Sequence, residues 1–371
     1  MRLAGLACAC TFAAAIPAAA QQPTTAADVR RLLGALAHDS MEGRATGTPG
    51  ARRAATMIAD VMKRAGLAPA GDSGYFQRVA VSLDSVTAPA MRRVPSGTDS
   101  TGRPAFRVEP TGGPPVVRVS FRVRGALADL DTVPASRRVS AVNDVATIPG
   151  SDPALAREHV LVDAHYDHLG IGRPVDGDSI YNGADDDASG TVAVLEIARQ
   201  LARGPKPRRT VVFMATIGEE RGLLGTRWYI AHPALPLAEM VANLEIEMIG
   251  RPDSLAGGPG RAWLTGYERS SMGDALAAAG IPIVPDKRPD QNFFQRSDNI
   301  AFAQAGIPAH TLSSFNLHMD YHRPSDDVSQ VDAEHMAAVI NAAAKAVRLL
   351  SDGPKPAWKP GGRPAAAPQR P

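Results

Sequence analysis

Cysteine occurs only at positions 8 and 10 of the 371-residue chain. Everything after those positions must therefore work without a cysteine nucleophile, a thiolate metal site or a disulfide. Aromatic residues are also few, at 5%. Neither sign of charge dominates: 40 Lys and Arg stand against 38 Asp and Glu. A nearly balanced chain offers no reason to expect nucleic acid or an anionic membrane as partner. The apolar run from Leu3 to Ile16 is too short to span a bilayer.

That run follows Arg2 and ends at Ala18-Ala19-Ala20, before Gln21. A positive start, an apolar stretch and small residues at a cleavage point read as a signal peptide over residues 1–20. The expectation is an exported protein, periplasmic or secreted, without stable membrane insertion once the peptide is removed.

The remaining chain is rich enough in apolar residues, at 44% overall, to build a sizeable core. Residues 26–66 read as two helices. The second, about Gly50 to Ala65, places Ala54, Ile58, Val61, Met62 and Ala65 on one face, and Gly66 stops it. Residues 80–140 change character, with Pro, Gly, Ser and nine arginines between Ala88 and Val139. Short alternating stretches such as Val116 to Val123 predict a β-rich insertion there, with a solvated basic face. From Glu158 onward strands alternate with helices. His159 to Ala164, Arg209 to Ile217, Met240 to Ile249 and Ala309 to Ser313 are the strand candidates. Ser189 and Asp332 are placed to cap helices, the second running to about Leu350. This alternation predicts an α/β fold with a mostly parallel central sheet and helices on both faces. The expected organisation is a catalytic domain over 21–351, with the insertion at about 80–140. A disordered, Pro-rich tail is expected over 352–371.

Four polar segments follow strand candidates or lie near their ends, where sites collect in open α/β sheets. In AHYDHLG, Ala164 to Gly170, His165 can ligate a metal with Asp167 orienting its ring. In NGADDDASG, Asn182 to Gly190, three consecutive aspartates repel one another unless a cation is present. A helix dipole accounts for one or two of them more readily than for three. In IGEERG, Glu219 and Glu220 suit a division of labour, one holding metal and the other handling a proton. In HMDYHRPSDD, either His318 or His322 can supply a second imidazole. Any one of these segments could be a solvated loop. Together they resemble a two-metal hydrolytic site, and oxygen and nitrogen ligands without sulfur suit zinc, manganese or cobalt.

With EGRATGTPG (Glu42 to Gly50), EERGLLGTRWYIAHP (Glu219 to Pro233), NLEIEMIGR (Asn243 to Arg251) and RSDNIAFAQAGIPA (Arg296 to Ala309) added, the chain resembles a zinc aminopeptidase family. That family includes the bacterial leucyl aminopeptidases and yeast aminopeptidase Y. The resemblance covers most of the chain after residue 20. It implies the zinc-exopeptidase architecture and two Zn2+ per chain, with Mn2+ or Co2+ as possible substitutes. It implies peptide or protein N-termini as substrates. His165 would bind the first metal, supported by Asp167, and Asp186 would bridge both. Glu220 and His322 would bind the second, Glu219 would be the general base, and Tyr321 would stabilise the oxyanion. His168 and His318 match the motifs but are expected in supporting or loop roles.

One position departs from the family. Aspartate often precedes M-I-G-R there as the remaining ligand to the first metal, and here Glu247 does, one methylene longer. Glu245, two residues upstream, is a less favoured substitute because it is out of register. Two other readings share the fold: a glutaminyl-peptide cyclotransferase-like enzyme with a single zinc, and a relative that catalyses nothing.

Overall fold

The computed structural model describes residues 22–98 and 104–366. The expected signal peptide, residues 1–20, lies outside the described residues, as do 99–103 and 367–371.

A nine-stranded sheet forms the centre of the molecule. Its four middle strands run parallel, in the order Thr210–Thr216, His159–His165, Met240–Ile246 and Ala309–Ser313. Antiparallel neighbours flank them: Val142–Ile148 on one side and Ala262–Leu264 on the other. Every residue of Thr210–Thr216 and His159–His165 is buried. That explains why these segments are apolar on successive residues instead of alternating, as strands covered on both faces require. Alternate side chains enter two separate cores. Val160, Val162, Val211 and Phe213 pack with the helices Ala26–Leu36, Pro49–Arg64, Gly190–Arg203 and Ala333–Asp352. Leu161, Val212 and Met214 pack on the opposite face with Tyr229 and Phe302, from the helices Leu224–Ala231 and Asn299–Ala305. The fold is thus α/β, with a large, mostly parallel sheet between helical layers.

Helix boundaries follow local chemistry. Thr48 accepts the Ala51 N–H, Pro49 opens the helix, and Gly66 turns away at φ 80°. Asp332 accepts the N–H groups of Glu334 and His335. Ser189 does not cap as its position suggested. Its hydroxyl donates to the Asp185 backbone carbonyl at 2.8 Å, and Asp187 accepts the Gly190 N–H at 2.9 Å in its place.

Within residues 80–140, Val81–Ala88 pairs antiparallel with Val116–Val123, and Met91–Thr98 with Pro104–Pro110. The C-terminal stretch differs from the disorder its composition suggested. The Trp358 indole N–H donates to the Gly306 carbonyl at 2.9 Å, and the ring packs beside Phe294 and His310. Backbone bonds join Ala357 to Ser271 and Lys359 to Arg269. One half-buried tryptophan and a short run of main-chain pairing hold this segment against the domain, a contribution that Pro and Gly content does not register.

Candidate metal centre

His165 is the last residue of its strand and lies in register with Thr216 at the end of the next. The carboxyl ends of parallel strands therefore bring together His165, the Glu219-Glu220 pair and Glu247. Gly218 makes the turn before the glutamates at φ 83°, where a side chain would press into Leu224. His322 arrives from the loop after Ala309–Ser313.

The three consecutive aspartates separate by role. Asp185 accepts the Gly250 N–H at 2.7 Å and pairs with His318 Nε2 at 2.9 Å. Asp187 accepts the N–H groups of Gly190 and Met248. Asp186 faces His165 and His322: Oδ1 is 3.3 Å from His165 Nε2, and Oδ2 is 3.1 Å from His322 Nε2. Burial opposes its ionisation. The His165 and His322 imidazoles beside it outweigh burial and hold its carboxyl well below the usual range.

Two groups of ligand-type atoms result, sharing Asp186. One comprises His165, Asp186 and Glu247; the other comprises His168, Asp186 and Glu220. Within each, the ligand atoms lie within 4.8 Å of one another. Glu247 Oε1 is 3.9 Å from His165 Nε2. Glu220 Oε1 is 3.2 Å from His322 Nε2 and 3.0 Å from His168 Nδ1. His165 Nε2, both His168 nitrogens and Glu220 Oε1 are buried without a hydrogen-bond partner. Orphaned polar atoms of this kind are costly unless something else satisfies them. Three carboxylates and three imidazoles converging at the carboxyl edge of the sheet fit a zinc site with nitrogen and oxygen ligands.

Glu219 sits beside this cluster. Burial, together with the Glu247 and Asp298 carboxylates, pushes its acid well above the ordinary glutamate range, against the pull of His165. Tyr321 stacks on His322, with ring centroids 3.9 Å apart, and lines a recess with Glu247, Met248, Trp263, Phe293 and Phe315. Burial raises its phenol, so it remains a hydrogen-bond donor.

Asp167 behaves differently from the expected ring orienter. The His165 Nδ1–H is held by the Asp167 backbone carbonyl at 3.1 Å, whereas the carboxylate stands 3.8 Å from that nitrogen. The carboxylate instead accepts from the Gly218 and Glu219 N–H groups and from the Thr46 hydroxyl. Glu245 is committed elsewhere. It accepts from Ser297 Oγ, the Asp298 and Asn299 N–H groups and Thr311 Oγ1, and so anchors the start of the helix Asn299–Ala305. His318 is likewise occupied by Asp185, which separates it from His322.

Two supporting residues carry no motif of their own. Arg44, fully buried, donates to the carbonyls of Leu36, Tyr166, Asn182 and Gly183, fastening the loops that carry His165 and the aspartates. Asp326 accepts the N–H groups of Asp185 and Asp186. Their only trace in the sequence is membership of the conspicuous segments EGRATGTPG and HRPSDD.

Comparison with known proteins gives the family and the fold. The family model described as peptidase family M28 matches residues 143–347. A probable zinc metalloprotease of Pyrenophora tritici-repentis is 37% identical over 113 residues, 30% of this chain and 25% of that protein. A vacuolar membrane protease of Verticillium alfalfae is 26% identical over 194 residues, 52% of this chain and 18% of that protein. The matched part is thus a quarter or less of these curated relatives. Among solved structures, an aminopeptidase from Aneurinibacillus sp. strain AM-1 superposes with a TM-score of 0.59 at 17% identity, covering 90% of this chain and 95% of that one. A glutaminyl cyclase of Porphyromonas gingivalis superposes with a TM-score of 0.55 at 14% identity, covering 87% and 97%. At such identities the superpositions speak for the fold. The fungal relatives named for the vacuolar membrane overturn the periplasmic or secreted location read from the N-terminal segment. Among the described residues, no helix is long and apolar enough to cross a membrane.

Proposed function

This chain belongs to peptidase family M28, and on that premise we propose that it is a zinc-dependent aminopeptidase with a two-ion site. The observation that carries the reading is the sharing of Asp186 between two groups of ligand atoms. In this reading His165, Asp186 and Glu247 hold one ion, while Asp186, Glu220 and His322 hold the other. Bound zinc supplies Lewis acidity and lowers the pKa of water at neutral pH.

The chain's own residues do the rest. Glu219, its acid raised by burial, takes a proton from the attacking water and returns it to the leaving amine. The Tyr321 hydroxyl, beside Glu247 and His322, donates to the carbonyl oxygen as negative charge develops on it. The carboxylate of Glu247, 22% exposed at the edge of the cluster, orients the free amine of the substrate. The recess walled by Trp263, Phe293, Phe315 and Tyr321 receives the first side chain.

Hydrolysis of a panel of aminoacyl-p-nitroanilides, with and without chelator, tests the activity, and metal analysis tests the ion count. Likeness to a glutaminyl cyclase fold supports a second reading, cyclisation of N-terminal glutamine at a single zinc. Two ions per chain with release of free amino acids favour the peptidase; one ion with pyroglutamyl product favours the cyclase.

A further inference from the structure

We propose that His168 is a direct ligand of the ion assigned to Asp186 and Glu220, so that this ion is held by two imidazoles. The proposal rests on the metal-centre reading above and adds a residue to it.

His168 has no solvent exposure, and neither of its ring nitrogens has a hydrogen-bond partner. Buried ring nitrogens without partners are unfavourable unless something else satisfies them. Its Nδ1 lies 3.0 Å from Glu220 Oε1 and 3.8 Å from Asp186 Oδ2. His322 Nε2 lies 3.2 Å and 3.1 Å from the same two oxygens. Ligand atoms around a tetrahedral zinc with bonds of about 2.0–2.2 Å stand about 3.3–3.6 Å apart. The four measured separations bracket that spacing. The rings of His168 and His322 meet edge to face, at 5.6 Å and 67°, so they approach the two carboxylates from different directions.

The backbone makes a seat for the His168 ring. Gly183, at φ 54°, lies against it, and a Cβ there would come 2.4 Å from His168 Cγ. Asn182 and Gly183 are in turn fixed by Arg44. A ring wedged against glycine, aimed at two carboxylates and bonded to nothing else, is placed as a ligand is placed. It would give this ion four protein ligands, against three for the ion of His165, Asp186 and Glu247.

Loss of affinity alone does not separate a ligand from a ring that merely orients Glu220, since losing such support also weakens binding about 10–100-fold. The deciding readout is coordination. X-ray absorption on the zinc-loaded wild-type protein should count three imidazoles per two ions. Stepwise Co2+ loading of the apo-protein should give two binding steps. In His168→Gln, one step should weaken at least about 30-fold and its visible absorption band should change. His168→Cys, which keeps a donor, should retain more affinity than His168→Gln. Two imidazoles per two ions, or an unchanged cobalt spectrum in a folded His168→Gln protein, overturns the proposal. If wild type binds one ion, the two-ion reading fails by itself. His168 ligation then stands if that ion shows two imidazoles including His168, and falls if the spectrum ignores the substitution.

Discussion

The Asp167 carboxylate accepts the backbone N–H of Glu219 at 3.2 Å and that of Gly218 at 2.7 Å, tying the turn after one strand to the turn after its neighbour. Asp167 thereby fixes two groups at once. Its carbonyl sets the His165 ring and its side chain sets the Glu219 backbone.

Asp167→Ala should therefore lower kcat by about 10²-fold, because a base displaced by about 1 Å loses that much. Zinc content should stay within about twofold of wild type. Asp167→Asn, which keeps one acceptor oxygen, should retain more activity. Equal loss of zinc and activity in Asp167→Ala would mean that the carboxylate supports His165 after all.

Glu219 and Glu220 are neighbours with separate assignments. Glu219→Gln should lose at least about 10²-fold in kcat and keep its zinc. Glu220→Gln should lose zinc from one site together with activity. Metal analysis beside turnover decides between them, and the opposite pattern reverses the two roles.

Much of this was legible in the sequence because His165, Glu219, Glu220 and Glu247 sit at or just beyond the ends of strands dense in apolar residues. Register then does the convergence, pairing His165 with Thr216 and Asp163 with Glu245. What could not be read is which atom of a residue acts. Asp167 lies two residues from His165, yet its carbonyl and not its carboxylate meets the ring. Asp185, Asp186 and Asp187 are identical in type, and only the backbone path decides that the middle one faces His165 and His322. Arg44 satisfies four carbonyls from the end of a helix and two loops, and no periodicity encodes that. Trp358 shows the converse, where composition argued for disorder and one indole opposed it.

Arg44→Met should destabilise the fold by at least about 4 kcal/mol, since it leaves four carbonyls without their donor and each buried orphan costs about 1–3 kcal/mol. Urea unfolding measures this. A loss under about 1 kcal/mol would show that water can replace the guanidinium. Arg44→Lys should fall between, because an ammonium cannot reach all four carbonyls.

His310 gives a pH-dependent contribution. Its Nδ1–H donates to the Thr265 carbonyl at 2.7 Å, and its Nε2 accepts from the Ser270 hydroxyl at 2.7 Å, so the ring is held neutral. Burial lowers its pKa to about 4, below the ordinary value of about 6.5. A depressed folded pKa means the contribution is present above about pH 6.5 and is lost as pH falls toward 4. The stability advantage of wild type over His310→Gln should shrink by about 2.5 kcal/mol between pH 7.5 and 4.5. An advantage independent of pH would place the ring's neutral form outside the folding equilibrium.

The last prediction concerns Glu247. Its Oε1 stands 3.9 Å from His165 Nε2, while the contacts that Glu220 Oε1 makes with His168 and His322 are 3.0 Å and 3.2 Å. Glu247 is also 22% exposed on its side chain, whereas Glu220 is 7% exposed. A longer carboxylate arm at a wetter position loses more rotamer freedom on binding and is better solvated when released. The ion of His165 and Glu247 should accordingly leave first under mild chelation, with affinity about 10–100-fold below the other, the range expected when one member of a ligand set is imperfectly held. Glu247→Asp should still bind two ions, because the backbone at Glu247 is fixed by its N–H donating to the Leu312 carbonyl at 3.0 Å. Titrating zinc into the apo-protein while following hydrolysis distinguishes the outcomes. Two indistinguishable steps in wild type would show that the glutamate reaches its ion without penalty. Complete loss of one step in Glu247→Asp would show that the surrounding backbone is built for the longer arm.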